Sequence, residues 1–243
     1  MKKVKIYGFT LAEVLITLGI IGIVAAMTIP NLSTHLRGKR LQSQFNKTYS
    51  ELNQAARLFY ADNDMPVRDY KTDNDYSLTG TLTTFMSYFK GSIKNQGDIW
   101  KYFDSNNNLK NYNLNGEETT SYPCDATPVI TDLNGRLYTM DTVTYYTVSY
   151  GPKICVDING IDKPNKWGVD RFVFVFSDNN AVLPYTGISW CNLTDQQADE
   201  TTIAKYCNDT LTNPAHTCAY FALQDKSPEG SGSYWYDFLK GKY

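Results

Sequence analysis

An apolar segment near the N-terminus constrains this chain more than any other feature. Residues 9–29 contain one charged side chain, Glu13, and no other. A helix of this length, at about 1.5 Å per residue, spans roughly the 30 Å of hydrocarbon in a bilayer. An ionised group in such a helix is penalised by about 2.5–3.5 kcal/mol at the bilayer centre and by less near an end. The sequence therefore predicts a membrane-spanning helix whose carboxylate requires a partner.

The residues in front of this segment form a recognisable pattern. A short basic head is followed by Gly8 and Phe9, a small and then a bulky residue at the boundary between polar and apolar sequence; its lysines are Lys2, Lys3 and Lys5. The pattern Gly8-Phe9-Thr10-Leu11-x-Glu13 resembles the leader and mature N-terminus of type IV prepilins and pseudopilins.

The resemblance implies a processing and assembly pathway. In that family a membrane-embedded prepilin peptidase cuts after the glycine and methylates the new amine, which here gives a cut between Gly8 and Phe9 and an N-methylated Phe9. Glu13 would then pair with the cationic N-terminus of a neighbouring subunit. In a low-dielectric fibre core such a pairing is strong and fixes the register of the subunits. Pro30 also lies at the distance from the cut that is common in pilin helices.

An ordinary secretory signal is the alternative interpretation of the same segment. Small residues around Ala26 could support cleavage there. Two features disfavour this alternative. The apolar part of a secretory signal is about 7–15 residues long and has no use for Glu13, and the helical pattern continues past the supposed cleavage site.

The apolar pattern predicts that one long helix continues to about Ala61. Beyond Pro30, apolar side chains recur at spacings of three and four, which is typical of a helix with one buried face; they are Leu41, Phe45, Tyr49, Leu52, Ala56 and Phe59. Proline lacks an amide hydrogen, so Pro30 should kink the helix. We expect four parts: a leader (1–8), a transmembrane or filament-core helix (9–29), its amphipathic continuation (30–61) and an exported globular domain (62–243).

Charge gives modest information about orientation and partners. The leader lysines favour a cytoplasmic N-terminus, although Arg37, Lys39 and Arg40 on the other side reduce that bias. The formal net charge is −2, and it becomes −5 once the three leader lysines are removed. A chain of this charge does not indicate a nucleic-acid partner. The expected location is a single pass of the inner membrane, followed by a periplasmic or extracellular filament.

All five cysteines follow the long helix, in the part expected to be exported. In an oxidising compartment they can form two disulfides, and 15 such arrangements exist. The preferred arrangement is Cys124 with Cys155 and Cys207 with Cys218, which leaves Cys191 unpaired. A zinc site is the alternative, but the chain has no C-x-x-C pair and only two histidines, His35 and His216.

The second half of the chain predicts an antiparallel sheet. β-rich segments occur at 136–140, 142–150, 153–158, 172–176 and 181–185. Residues 172–176 alternate phenylalanine with valine, so we expect both faces of that strand to be buried, with one set against the long helix. A short amphipathic helix is expected around 82–93, and 105–120 is expected to be turns and loop. The fold class is therefore α+β and pilin-like: a long N-terminal helix packed on an antiparallel sheet, with an irregular, disulfide-bearing C-terminal region.

One loop carries candidate metal ligands. Asp157, Asn159, Asp162 and Asp170 offer several oxygen atoms between two predicted strands. Calcium prefers six to eight oxygens, and several pseudopilins hold one in or near this position, so the resemblance implies a possible structural calcium. The alternative is turn chemistry, in which amide and carboxylate groups bond to the backbone. A similar sequence at 132–135 favours the turns.

No catalytic motif is apparent in the sequence. It contains no nucleophile elbow, zinc-protease helix, phosphate loop or dinucleotide fingerprint. Acidic pairs for glycoside hydrolysis could be drawn from Asp170, Asp178, Asp195 and Asp199, but no spacing singles out a pair. We therefore expect a non-enzymatic fibre subunit whose partners are itself, other pilin-like subunits, the prepilin peptidase, an inner-membrane assembly platform and, before assembly, the lipid bilayer. A tip adhesin that binds a ligand through Trp190 and Trp235 is the alternative.

Overall fold

A helix of 53 residues, α1 (Leu11–Asn63), is the longest element of the chain. It ends where Asp64 adopts a left-handed conformation and donates its backbone N–H to the carbonyl of Tyr60. The helix thus extends two residues past the predicted end and is continuous through position 30; the kink expected there stays a prediction. The computed structural model describes residues 8–70, 78–89, 91, 94–97, 110–120, 122–141, 152–177, 179–186, 199–208 and 215–243.

The two halves of α1 differ in what covers them. In the first half the large apolar side chains are exposed, and Phe9, Leu18 and Ile29 keep between 61% and 89% of their surface. In the second half the predicted stripe is buried, with Tyr49 partly so; the fully covered members are Leu41, Phe45, Leu52, Ala56 and Phe59. The amphipathic interpretation of this half is confirmed. The apolar first half is not covered by any part of the chain that the structure describes.

An antiparallel sheet of six strands packs against the second half of α1. Its strands follow the chain in order, β1 to β6, each paired with the next. They are β1 (Lys94–Gly97), β2 (Val129–Thr131), β3 (Leu137–Asp141), β4 (Lys153–Asp157), β5 (Arg171–Phe176) and β6 (Val182–Pro184). The predicted strands at 136–140, 153–158, 172–176 and 181–185 are confirmed, whereas β1 and β2 were not predicted. The segment 142–150 lies outside the described residues.

Strand β5, which lies between β4 and the edge strand β6, is buried along its whole length, as its sequence predicts. Successive side chains of a strand point to opposite faces, so the three phenylalanines share one face. Phe172 and Phe174 contact Phe45 of α1, with ring centroids 4.7 and 5.8 Å apart. Phe176 packs on Phe85 of the short helix α2 (Thr79–Met86), and their ring centroids are 4.9 Å apart. The phenylalanine face of β5 therefore joins the sheet to both helices.

Asn53 of α1 closes the outer edge of the sheet at β6. Its side-chain amide donates to the carbonyl of Val182 at 3.2 Å and accepts from the N–H of Val182 at 3.0 Å. The side chain thus takes the place of a further strand, since an open edge exposes unpaired backbone groups. This contact fixes the position of the helix relative to the sheet.

We expect Asn53→Ala to lower the free energy of unfolding by about 1–3 kcal/mol, because it leaves two backbone groups of Val182 without these bonds. Denaturant unfolding of the full chain in detergent, followed by tryptophan fluorescence, measures the change. Asn46→Ala is the matched control, since Asn46 is exposed on the same helix, and it should change stability by less than about 0.5 kcal/mol. Equal effects of the two substitutions would show that Asn53 does not hold the edge.

The described residues of the C-terminal part include three short helical segments. They are α3 (Glu200–Lys205), α4 (Cys218–Gln224) and a π-helical turn (Tyr234–Phe238). The turn packs on α1 at Gly38, where an added Cβ would lie 2.5 Å from both the carbonyl oxygen of Trp235 and the hydroxyl of Tyr243. Only a glycine allows this approach. This region was predicted to be irregular, whereas its described residues include these helical segments.

The structure contains the two disulfides that were preferred from the sequence. Cys124 pairs with Cys155 of β4, and Cys207 pairs with Cys218 at the start of α4. All four sulfur atoms are therefore used, and the zinc alternative fails for these cysteines. Of the two histidines, His35 contacts the ring of Tyr236 and His216 that of Trp167. Cys191 lies outside the described residues.

Candidate functional site

The Gly8–Phe9 bond lies in non-helical, exposed chain directly before α1. Helical structure begins at Leu11, and Phe9 keeps 89% of its surface. A Cβ added to Gly8 would meet no atom of the described residues within 4 Å. The fold therefore imposes no requirement for glycine at position 8, and any such requirement must come from a protein that binds this segment. The bond is accessible to such a protein.

Thr10 and Glu13 fix the position at which the helix begins. The Thr10 hydroxyl oxygen accepts from the N–H of Glu13 at 3.3 Å, and the Glu13 carboxylate accepts from the N–H of Thr10 at 2.7 Å. This reciprocal arrangement is a capping box, which satisfies two backbone donors that a helix terminus leaves free. The Thr10 hydroxyl also lies 2.7 Å from the same carboxylate oxygen. The helix thus starts two residues after the Gly8–Phe9 bond.

This capping box was not predicted from the sequence. A threonine followed three positions later by a glutamate in front of an apolar run is its signature, and Thr10 and Glu13 have that spacing. The missed contact matters for the role of Glu13, because the carboxylate has hydrogen-bond donors within its own chain. A carboxylate in the first turn is also favoured by the helix dipole. Glu13 is exposed, so it remains accessible to a further partner.

The apolar half of α1 has the dimensions of a membrane span. Among the described residues, α1 is the one helix whose length and composition would allow it to cross a bilayer. No residue in its most apolar segment is buried by the described part of the chain. A helix that is apolar on all sides must be shielded from water, either by lipid or by neighbouring helices. The geometry thus presents an accessible peptide bond, a capped helix start and an uncovered apolar rod in immediate succession.

Residues 4–29 match the family model of the prokaryotic N-terminal methylation motif. This is a prepilin-type N-terminus. The prepilin-type segment, with its signal for cleavage and methylation, indicates a pilin-like structural subunit, and together with the apolar helix it fits a single-pass membrane anchor. The match ends at residue 29. Comparison with curated proteins and with solved structures found no match.

Two of the four candidate calcium ligands, Asp157 and Asp170, have carboxylates engaged in other contacts, and the other two, Asn159 and Asp162, contact each other. Asp157 is fully buried and accepts from Arg171 Nε at 2.8 Å, while Asp170 accepts from the backbone N–H groups of Asn165 and Lys166. The Asn159 amide donates to the carbonyl of Asp162 at 3.1 Å. The described residues contain no group of three His, Cys, Asp or Glu side chains that could hold a metal. This geometry favours the turn alternative, and calcium at this loop stays a prediction.

Arg171 is the centre of a buried polar cluster that the sequence analysis did not find. It is fully buried, and besides Asp157 its guanidinium donates to Asn111 at 2.5 Å and to Asn165 at 3.2 Å. Loss of hydration raises the pKa of Asp157 to about 8 and that of Asp170 to about 6, and the positive charge of Arg171 opposes both shifts. The cluster joins loop 110–113 to β4 and β5. Its role is therefore structural.

The residues proposed for other functions are placed as follows. Trp235 is 2% exposed and packs on Phe45, which removes it as a ligand-binding side chain of a tip adhesin. Asp199 caps the start of α3 by accepting from the N–H of Thr202. Asp170 is buried as described above, so neither carboxylate is placed for glycoside hydrolysis. Trp190, Asp178 and Asp195 lie outside the described residues.

Proposed function

We propose that this chain is a subunit of a fibre in the class that comprises type IV pili, type II secretion pseudopili and DNA-uptake fibres. The observation that carries the proposal is the prepilin-type segment on a helix whose apolar half is not covered by any of the described residues. Before assembly the segment anchors the chain in the inner membrane, with residues 1–8 in the cytoplasm and the sheet-bearing part outside.

Processing and assembly then follow from the same segment. Prepilin peptidase removes the leader at the Gly8–Phe9 bond and methylates Phe9. The apolar half of α1 leaves the bilayer at an assembly platform and packs against equivalent helices of other subunits, exchanging lipid contacts for helix contacts. Glu13 exchanges its contacts with Thr10 for the cationic amine of Phe9 in a neighbouring subunit. The sheet-bearing part coats the fibre.

Gly8→Val tests the processing step. We expect this change to leave the eight-residue leader fully attached, because a branched side chain next to the cut obstructs the peptidase, whereas its Cβ contacts none of the described residues. The mass of the chain recovered from membranes measures this. Ala12→Val is the matched control, since it makes a similar change at an exposed position in the first turn of the helix, and it should be processed normally. Normal processing of Gly8→Val would contradict the assignment of the cleavage site.

A further inference from the structure

Basic residues occur in α1 shortly after its apolar half ends. Between Glu13 and Arg37 the chain has no Asp, Glu, Lys or Arg, and Arg37 lies eight residues beyond Ile29. Eight residues of helix correspond to about 12 Å, whereas the polar headgroup layer adds about 5–7 Å on each side of the hydrocarbon. A long basic side chain can cover the remaining distance, as arginine and lysine do when they snorkel. The side chains at this level of α1 are therefore within reach of lipid headgroups.

A loop of the sheet-bearing part is attached to α1 at this same level. Arg37 Nη2 donates to the carbonyl of Lys163 at 3.1 Å, and Arg40 lies 4.0 Å from the carboxylate of Asp162. The neighbouring Ile161 keeps 58% of its surface exposed, although it is a large apolar side chain. The turn between β4 and β5 thus presents an apolar tip next to two arginines.

Positive charge accumulates around this attachment. Lys166 Nζ donates to the carbonyl of Lys242 at 2.7 Å, which places both lysines beside the loop. Burial lowers the pKa of Lys166; Asp170 opposes that change, and the nearby Lys242 and Arg37 lower the pKa further. We call the five cations at this end of the molecule the basic collar; they are Arg37, Lys39, Arg40, Lys163 and Lys242. Asp162 is the exposed carboxylate that the loop contributes, and Arg40 faces it.

A cleft between α1 and the loop completes the surface. It has a volume of about 480 Å³ and begins at Leu36 and Arg37. Gln44 and Asn159 also line it, and each has a buried side-chain oxygen to which no described residue donates a hydrogen bond. Unpaired buried acceptors are costly, so a ligand that brings hydroxyl donors would be favoured. The guanidinium groups of Arg37 and Arg40 at the same cleft suit a phosphate.

We propose that the basic collar and its cleft bind the headgroups of anionic phospholipids that carry hydroxyls, such as phosphatidylglycerol, while the subunit is held in the membrane. Ile161 enters the interface between the headgroups. The inference rests on the proposed function, because it requires the apolar half of α1 to be inserted. Docking in this way fixes the sheet-bearing part against the bilayer surface before the subunit enters a fibre.

The test uses the full chain in lipid nanodiscs at one copy per disc. Lysine acylation is followed by mass spectrometry in discs of phosphatidylcholine and in discs that contain phosphatidylglycerol. The negative surface potential raises the fraction of protonated lysine near the membrane, so Lys39 and Lys163 should react about threefold more slowly in the anionic discs. Lys47 lies eight residues beyond Lys39 along α1, about 12 Å away and beyond the screening length at physiological salt, and should react equally in both.

Variants separate docking from mere proximity. Arg37→Gln with Arg40→Gln should remove the protection of Lys163, whereas Lys47→Gln with Arg57→Gln, the same charge change higher on α1, should retain it. Equal rates for wild-type Lys163 in both kinds of disc would overturn the proposal, and this comparison does not depend on the variants being folded. Protection that appears only with two or more copies per disc would also overturn it, in favour of a contact between subunits. Failure of the chain to enter discs would instead refute the membrane anchor itself.

Discussion

Glu13→Gln should abolish fibre assembly and leave the folded sheet-bearing part and its membrane insertion unchanged. Glutamine keeps the shape of glutamate and can still accept the N–H of Thr10, so the capping box survives the change. What disappears is the negative charge. In the fibre core the methylated amine of Phe9 would then be buried without an opposite charge, at a cost of about 3–5 kcal/mol for each contact between subunits. A cost of this size lowers the equilibrium constant for subunit association by more than about a hundredfold.

Two further variants make the result interpretable. Glu13→Ala removes both the charge and the capping box, and we expect it to fail in assembly as Glu13→Gln does. Thr10→Val removes the hydroxyl cap but keeps the charge, so we expect it to assemble with at most a modest loss. Electron microscopy of surface fibres measures assembly, and the amount of processed chain in the membrane controls for export. Abundant fibres from Glu13→Gln together with none from Thr10→Val would show that Glu13 acts only as a helix cap.

Arg171→Met should lower the free energy of unfolding by about 3–5 kcal/mol, because it leaves the buried carboxyl of Asp157 without its cation. Methionine preserves much of the side-chain volume, which limits the contribution from a cavity. The double variant Arg171→Met with Asp157→Leu should recover part of the loss, since replacing both members of a buried pair by apolar residues is often close to neutral. Denaturant unfolding in detergent measures both variants.

The same variant has an expected pH dependence. Arg171 lowers the pKa of Asp157 and Asp170 against the raising effect of burial, so its removal moves both pKa values further above those of the unfolded chain. A carboxyl with a raised pKa in the folded state contributes stability at low pH that is lost as the pH rises through that pKa. The loss of stability in Arg171→Met should therefore be larger at pH 8 than at pH 5.

Arg57→Met, at an exposed position of α1, is the control and should lower the free energy of unfolding by less than about 0.5 kcal/mol. A deficit below about 1 kcal/mol for Arg171→Met would contradict the structural role of the cluster.

Periodicity predicted the elements whose burial is regular. The spacing of Phe45, Leu52 and Phe59 identified the buried face of α1, and the alternation in residues 172–176 identified a strand buried on both sides. These patterns succeed because each residue's environment follows from its position in one element. The strands β1 and β2 were missed since they are short and lack such a pattern, so that their pairing depends on distant neighbours.

The polar interior could not be predicted in the same way. A charged residue such as Arg171 is normally expected at the surface, and its burial depends on Asp157, Asn111 and Asn165 meeting it from other segments. The candidate processing site was easier to predict, because Gly8, Phe9 and Glu13 lie close together in sequence and form a local pattern. Their contact with Thr10 is local as well and could have been found from its spacing.

The mass of the N-terminal tryptic peptide of the membrane or surface form tests whether the chain is cut between Gly8 and Phe9 and methylated for assembly. We expect the peptide 9–37 with one added methyl group on Phe9. The peptide 6–37 would show that the leader is retained, and 27–37 would show cleavage at a secretory signal. Either of these would contradict the account.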